Sequence, residues 1–196
     1  MDSGPVNVEF VFSGRSNVGK STVFSQLFGV EVRKGKKPGT TISPNFFRYR
    51  DFLATDLPGF GYIRGVSKRF SERVKDFIVR YIEENSDRIW AGVVVIDSKS
   101  FREVVERWES RGHIPVDVEM VDFLKDLDIE VFVCANKMDR VDNAKAALGY
   151  ISEKTGVPEC RIIPSIARDG DVAGLKSALR NFLSERGRPD LLGAFK

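Results

Sequence analysis

Hydrophobic and polar positions along this chain change period several times, and each change marks an element. Val8-Glu9-Phe10-Val11-Phe12 is an extended apolar run, followed at once by Gly14-Arg15-Ser16 and a helical pattern over 21–28. The chain therefore opens as strand, turn and helix. A basic stretch punctuated by Gly and Pro, 32–41, precedes two β-rich runs, 46–49 and 52–55, with Arg50-Asp51 between them, and these predict a hairpin. Phe70, Val74, Phe77, Ile78 and Tyr81 share one face of a helix over 70–84. Residues 91–96 and 129–135 are near-continuous β-branched runs, as in strands covered on both faces. Helices are predicted over 117–126, 143–154 and 172–185, a short strand over 161–163, and a frayed tail after Gly187.

This alternation predicts one α/β domain with a mostly parallel sheet of about six strands, the hairpin giving one antiparallel edge. The domain takes in residues 1–196, with a core over 7–186 and a flexible tail over 187–196. Composition changes little: 42% hydrophobic and 30% charged residues with a net charge of +3 exclude a disordered chain. Residues 1–7 lack the basic run and apolar core of a secretory signal, no apolar stretch reaches membrane-spanning length, and the chain carries no lipidation box. Cys134 and Cys160 cannot build a disulfide framework, and a cytoplasmic protein is expected.

The first strand runs directly into Gly14-Arg15-Ser16-Asn17-Val18-Gly19-Lys20-Ser21, a phosphate-binding loop pattern in its required strand-to-helix setting. Its four fixed positions arise by accident in about 1% of chains this long, so the pattern carries weight before its context is counted. Gly14 and Gly19 let the backbone approach a pyrophosphate, and the amides from Gly14 to Thr22 meet its charge. Lys20 reaches the β- and γ-phosphates and Ser21 ligates Mg²⁺. Asn136-Lys137-Met138-Asp139 follows another strand, where the Asp139 carboxylate can accept two guanine donors that adenine lacks. Lys137 would lay its stem along the base and Asn136 would brace the neighbouring loops. Asp56-Leu57-Pro58-Gly59 closes the third strand, Asp56 holding Mg²⁺ through water and the Gly59 amide meeting the γ-phosphate; the same spacing at Asp171 with Gly174 and Asp190 with Gly193 reads as punctuation.

In this order the motifs resemble a P-loop NTPase with a Ras-like G domain. The runs Gly14 to Ser21, Lys37-Pro38-Gly39-Thr40-Thr41, Asn45-Phe46-Phe47 and Asp56-Leu57-Pro58-Gly59-Phe60-Gly61-Tyr62 resemble the EngB family, GTPases implicated in large-ribosomal-subunit assembly. Arg107-Trp108-Glu109 through Ile114-Pro115-Val116-Asp117-Val118-Glu119 is most similar to its archaeal branch. The resemblance implies that Thr41, with Thr40 one register away, closes over Mg²⁺ and the γ-phosphate. It places Ser165-Ile166-Ala167 at the guanine-closing motif, Ala167 giving the amide to guanine O6 within a register of one residue, and Arg168 next to it.

Ras-type enzymes place a glutamine where Phe60 stands; an apolar side chain cannot polarise water, so slow hydrolysis to GDP and phosphate is implied. An asparagine at the Asn17 position binds K⁺ in related GTPases, making Asn17 a candidate K⁺ ligand and catalytic contributor beside Lys20, Thr41 and Gly59. Arg33, Lys34, Lys36 and Lys37, and Arg64, Lys68, Arg69, Arg73 and Lys75, flank the two switches. They read either as a solvated surface diluted by Glu72 and Asp76 or as a GTP-ordered contact to ribosomal RNA. The expected partners are GTP or GDP and the large ribosomal subunit or its precursor, through RNA or ribosomal protein, with no membrane and no DNA. Three rival readings are a small signalling or trafficking GTPase, a nucleotide-gated binding protein with negligible turnover, and an ATPase. The lone His113 reads as a loop residue, Cys134 as a core thiol, and Trp90, Trp108, Phe10, Phe12, Phe77 and Phe123 as packing.

Overall fold

The computed structural model describes residues 4–32, 43–61 and 67–196. Thr40 and Thr41, the basic residues Arg33, Lys34, Lys36 and Lys37, and Arg64 lie outside the described residues. Elements follow the order β1 (Val8–Ser13), α1 (Lys20–Phe28), β2 (Asn45–Tyr49), β3 (Phe52–Asp56), α2 (Lys68–Asn85), β4 (Ile89–Asp97), α3 (Phe101–Glu109), α4 (Val116–Asp126), β5 (Glu130–Asn136), α5 (Ala144–Thr155), β6 (Ile162–Pro164) and α6 (Ala173–Glu185).

Six strands form one sheet in the order β2-β3-β1-β4-β5-β6. Among the strand pairs of the described residues β2–β3 alone is antiparallel, as the hairpin pattern predicts. All six residues of β1 are buried because helices cover both faces of the sheet. On one face Val8, Phe10 and Phe12 meet Val23, Phe24, Leu27 and Phe28 of α1 and Leu175, Leu179 and Phe182 of α6. On the other, Val11, Val94 and Ile96 meet Val74, Ile78 and Ile82 of α2, Phe101 and Val105 of α3, and Val121 and Leu124 of α4. Two helix starts are capped by a short polar side chain: Ser67 accepts from the Phe70 amide at 3.3 Å and Asn143 from the Ala146 amide at 3.0 Å.

A buried carboxylate ties α2 to this sheet. Glu9 accepts hydrogen bonds from Thr55 Oγ1 at 2.5 Å, Tyr81 Oη at 2.6 Å and Arg88 Nε at 2.8 Å. Burial, helped by the bond to Glu9, pushes the Tyr81 phenol up to about 12.

Three features differ from the sequence reading. Helix α3 stands where the sequence pattern predicts no element, because only Phe101, Val104 and Val105 mark its inner face within a run of charges. Trp108 is 37% exposed rather than packed, with its ring edge-on to His113 at 6.1 Å; His113 itself is an exposed loop residue, as expected. The tail does not fray: Pro189–Ala194 forms a 3-10 turn whose Leu191 and Ala194 are buried, and Phe195 lies 5.3 Å from Phe28 and 6.0 Å from Phe52 between ring centroids. Polar bonds hold it there, Arg188 to Asp51 at 2.6 Å, Arg180 to the Leu192 carbonyl at 2.7 Å and the Lys196 amide to the Leu27 carbonyl at 3.0 Å. Arg188 in turn keeps the Asp51 carboxyl below the usual carboxylate range.

Phe195, at 6% exposure, completes the core between α1 and the hairpin. Phe195→Ala is expected to destabilise the protein by about 3 kcal/mol in urea unfolding, whereas a frayed residue would cost under about 0.5 kcal/mol.

Candidate functional site

Ligands of α/β sheets bind beyond the carboxyl ends of the parallel strands, and the motifs converge there. The loop after β1 wraps tightly because two glycines permit it. At Gly14 (φ 150°) a Cβ would meet the Val95 carbonyl oxygen at 2.5 Å, and at Gly19 (φ 100°) it would meet Asn136 Nδ2 at 2.3 Å. Asn17, also left-handed at φ 69°, stands exposed at the crest of the loop. The N-cap of α1 is Gly19, which has no side chain to cap the first turn, and Thr22 follows within that turn. This leaves the helix N-terminus to an anion.

The loop is joined to the segment after β3. The Ser16 amide donates to the Phe60 carbonyl at 3.1 Å and the Phe60 amide to the Gly14 carbonyl at 3.4 Å, a parallel bridge pairing Arg15 with Phe60. Gly59 presses so closely on this loop that a Cβ would lie 2.9 Å from Ser16 Oγ. The Phe60 side chain, 4% exposed, points away into the core beneath α2.

Asp56, at the end of β3, gathers the polar groups beneath the loop. Ser21 Oγ donates to its Oδ2 at 2.9 Å, Asn45 Nδ2 to the same oxygen at 3.2 Å, and Lys20 Nζ to its Oδ1 and to the Leu57 carbonyl. Burial draws the Lys20 ammonium below its ordinary range, opposed by the charge of Asp56. A carboxylate and a hydroxyl within reach of each other form a hard-oxygen set suited to Mg²⁺.

At the end of β5, Asn136 Nδ2 donates to the Val18 carbonyl at 2.8 Å and Asn136 Oδ1 accepts from the Ala167 amide at 3.1 Å. It braces the two loops, as the sequence suggested. Ala167 is itself 1% exposed, and its amide is engaged by Asn136. Ser165 holds the same loop, its Oγ donating to the Asp171 carbonyl at 2.8 Å and its carbonyl accepting from the Met138 amide at 3.2 Å, while Ile166 pairs with Asp171. Asp171 therefore supports the base-side loop through its backbone. Lys137 Nζ donates to the Asn17 carbonyl at 2.8 Å and to Asp97 Oδ2 at 2.6 Å, which stretches its stem across the site.

The sequence reading assigned no role to Asn45, Asp97 or Arg168, which the fold brings in. Arg168 Nη2 lies 3.2 Å from Asp139 Oδ2, and a further ion pair, Arg15 Nε to Asp117 Oδ2 at 2.7 Å, links the loop to α4. Periodicity could not reveal these partners, although Asp97 shares with Asp56 and Asn136 a place at a strand's carboxyl end.

The model of a family described as 50S ribosome-binding GTPase matches residues 9–137. The chain is 53% identical over 194 residues to a probable GTP-binding protein EngB of Archaeoglobus fulgidus, covering 96% of this chain and 98% of that one. It is 45% identical to the corresponding protein of Methanosarcina mazei, over 95% of this chain and 93% of that. A crystal structure of a probable GTP-binding protein EngB superimposes with a TM-score of 0.82 at 40% identity, covering 92% of this chain and 100% of the other. The likeness to Era in complex with MgGDPNP and a 16S ribosomal RNA fragment, at 24% identity and a TM-score of 0.62 over 92% of this chain and 57% of that one, is one of fold. With a phosphate loop, an Asp-x-x-Gly segment and an Asn-Lys-x-Asp motif at the carboxyl ends of β1, β3 and β5 in a matching fold, the chain belongs to the EngB family of P-loop GTPases.

Proposed function

We propose that this GTPase is a slow, nucleotide-gated switch that reads guanine through Asp139 and acts on the large ribosomal subunit or its precursor. The observation that carries the nucleotide reading is the Asn136 junction, which sets the base motif against the phosphate loop in one site. Asp139 accepts from the guanine edge, Lys137 covers one face of the base, and the turn from Ser165 through Ile166 and Ala167 closes over it. Because the Ala167 amide serves Asn136, the donor to the base oxygen is the neighbouring amide of Arg168, a shift of one residue.

The amides of the loop from Gly14 to Thr22 take the phosphates, with Arg15, Ser16, Asn17, Val18 and Gly19 supplying the curve. Lys20 exchanges Asp56 for phosphate oxygens. Ser21 and Asp56, with Thr41 on this reading, would hold Mg²⁺, which would supply positive charge beside the γ-phosphate. The Gly59 amide meets the γ-phosphate, while the buried Phe60 side chain has no means of orienting water. That burial supports slow intrinsic turnover, with Asn17 offering an exposed oxygen donor for K⁺ at the crest of the loop.

The ribosomal role is supported by the matching family's description and by α2, where Lys68, Arg69, Arg73 and Lys75 are exposed. Glu72 and Glu119 engage Lys68 at 3.9 Å and Lys75 at 2.7 Å, which leaves Arg69 and Arg73 as the better placed of the four for RNA phosphates.

In nucleotide titrations, Asp139→Asn is expected to lose guanine nucleotide affinity by about a hundredfold and to gain xanthine nucleotide binding, as the exchange of an acceptor for a donor facing the base edge requires. Equal ATP binding by the wild type would end the guanine reading. Single-turnover hydrolysis is expected to be faster in KCl than in NaCl at matched ionic strength, and Asn17→Ala is expected to abolish the difference. Cosedimentation with large-subunit particles is expected to be stronger with a GTP analogue than with GDP, to weaken with salt, and to drop in Arg69→Glu/Arg73→Glu; indifference to the nucleotide would remove the switch.

A further inference from the structure

Asp117 is fully buried in the first turn of α4, 102 positions from its partner in sequence. Its Oδ2 accepts from Arg15 Nε at 2.7 Å, and its Oδ1 has no hydrogen-bond partner among the described residues. The side chain is 1% exposed and that of Arg15 21%. Burial raises the Asp117 carboxyl above its usual range while Arg15 pulls it down. A buried charge is costly to keep, and among the described residues this one is offset, apart from the favourable helix N-terminus, by the guanidinium of Arg15.

Arg15 is also the residue whose backbone forms the bridge to Phe60. Its stem runs beside the following residue too, since a Cβ on Gly61 would lie 3.6 Å from Arg15 Cγ. One residue of the phosphate loop therefore joins the Gly59–Gly61 segment through its backbone and α4 through its side chain. We propose that Asp117 is a positioning residue for GTP hydrolysis: acting through Arg15, it fixes the spacing between the phosphate loop and the Gly59–Phe60 segment, so that the Gly59 amide meets the γ-phosphate. The proposal rests on the reading of Gly59 as the group that senses that phosphate.

A plain structural staple would behave differently. It would lower stability and weaken GDP and GTP alike, whereas a positioning contact acts where the γ-phosphate is engaged. The test uses the full chain as wild type, Asp117→Asn, Arg15→Gln and the double variant. Fluorescent GDP and a non-hydrolysable GTP analogue are titrated, single-turnover hydrolysis is followed, and melting temperatures are recorded. Both single variants are expected to lose about tenfold to a hundredfold in hydrolysis rate with a parallel loss of analogue affinity, and Asp117→Asn, which lies outside the phosphate loop, is expected to keep GDP affinity within about threefold, as for a small displacement at a reacting centre. The double variant should be no worse than either single one, since both break the same contact.

An unchanged hydrolysis rate, or equal loss of GDP and analogue affinity together with a fall in melting temperature, overturns the positioning role alone. Wild type that binds no guanine nucleotide overturns the reading of the site as well. Should Asp117→Asn fail to fold, the paired apolar replacement Arg15→Met/Asp117→Leu removes both charges. That pair is expected to fold and bind GDP yet hydrolyse slowly, and hydrolysis at the wild-type rate would overturn the proposal.

Discussion

The nucleotide end of this molecule depends on one buried carboxamide. Asn136 closes β5, and its two polar atoms serve two loops, Nδ2 donating to Val18 and Oδ1 accepting from Ala167. The first of these contacts spans 118 positions in the sequence. Aspartate would lose the donor, and a hydroxyl side chain would be too short to reach both loops; either change would leave a buried polar group unpaired. Gly19 belongs to the same requirement, because a Cβ there would occupy the place of the Asn136 amide nitrogen. The phosphate loop and the base motif are thus two halves of one packed object.

Buried charges organise the rest, and each is paired. Asp56 collects Lys20, Ser21 and Asn45; Glu9 collects Thr55, Tyr81 and Arg88; Asp117 has Arg15. Their placement divides α2 mechanically. Its C-terminal half is anchored by Tyr81 on Glu9 and by Ile78 and Ile82 in the core, while Lys68 to Arg73, nearest the Gly59 segment, are mostly exposed. The end of α2 that follows Gly59 is therefore the less firmly held end, where local opening is less costly.

Much of this was legible in the sequence because the chemistry is local. The phosphate loop lies within eight consecutive residues, and the apolar runs on either side of it fix its place at a strand end. The strands β4 and β5 were legible as near-continuous β-branched runs that need cover on both faces. Legibility failed where meaning depended on distance. Nothing near Arg15 points to Asp117, and nothing near Asp139 points to Arg168. The charges of α3 hid three inward residues, and Gly187, Pro189 and Gly193 gave the tail the look of a loop although Leu191 and Phe195 were its signal. Gly193 is there because Tyr49 lies against it, a Cβ at that position falling 2.6 Å from the Tyr49 hydroxyl.

The central place of β1 carries a consequence for assembly. It pairs with β3 on one side and β4 on the other, so the strand that launches the phosphate loop gains both neighbours only after segments some forty and eighty residues downstream have arrived. Such long-range parallel pairing is slow, and the loop cannot take its shape before it is complete. A guanine nucleotide would then bind only the finished sheet and draw the population toward it by mass action, making the cellular nucleotide pool a stabiliser of the native state as well as a fuel.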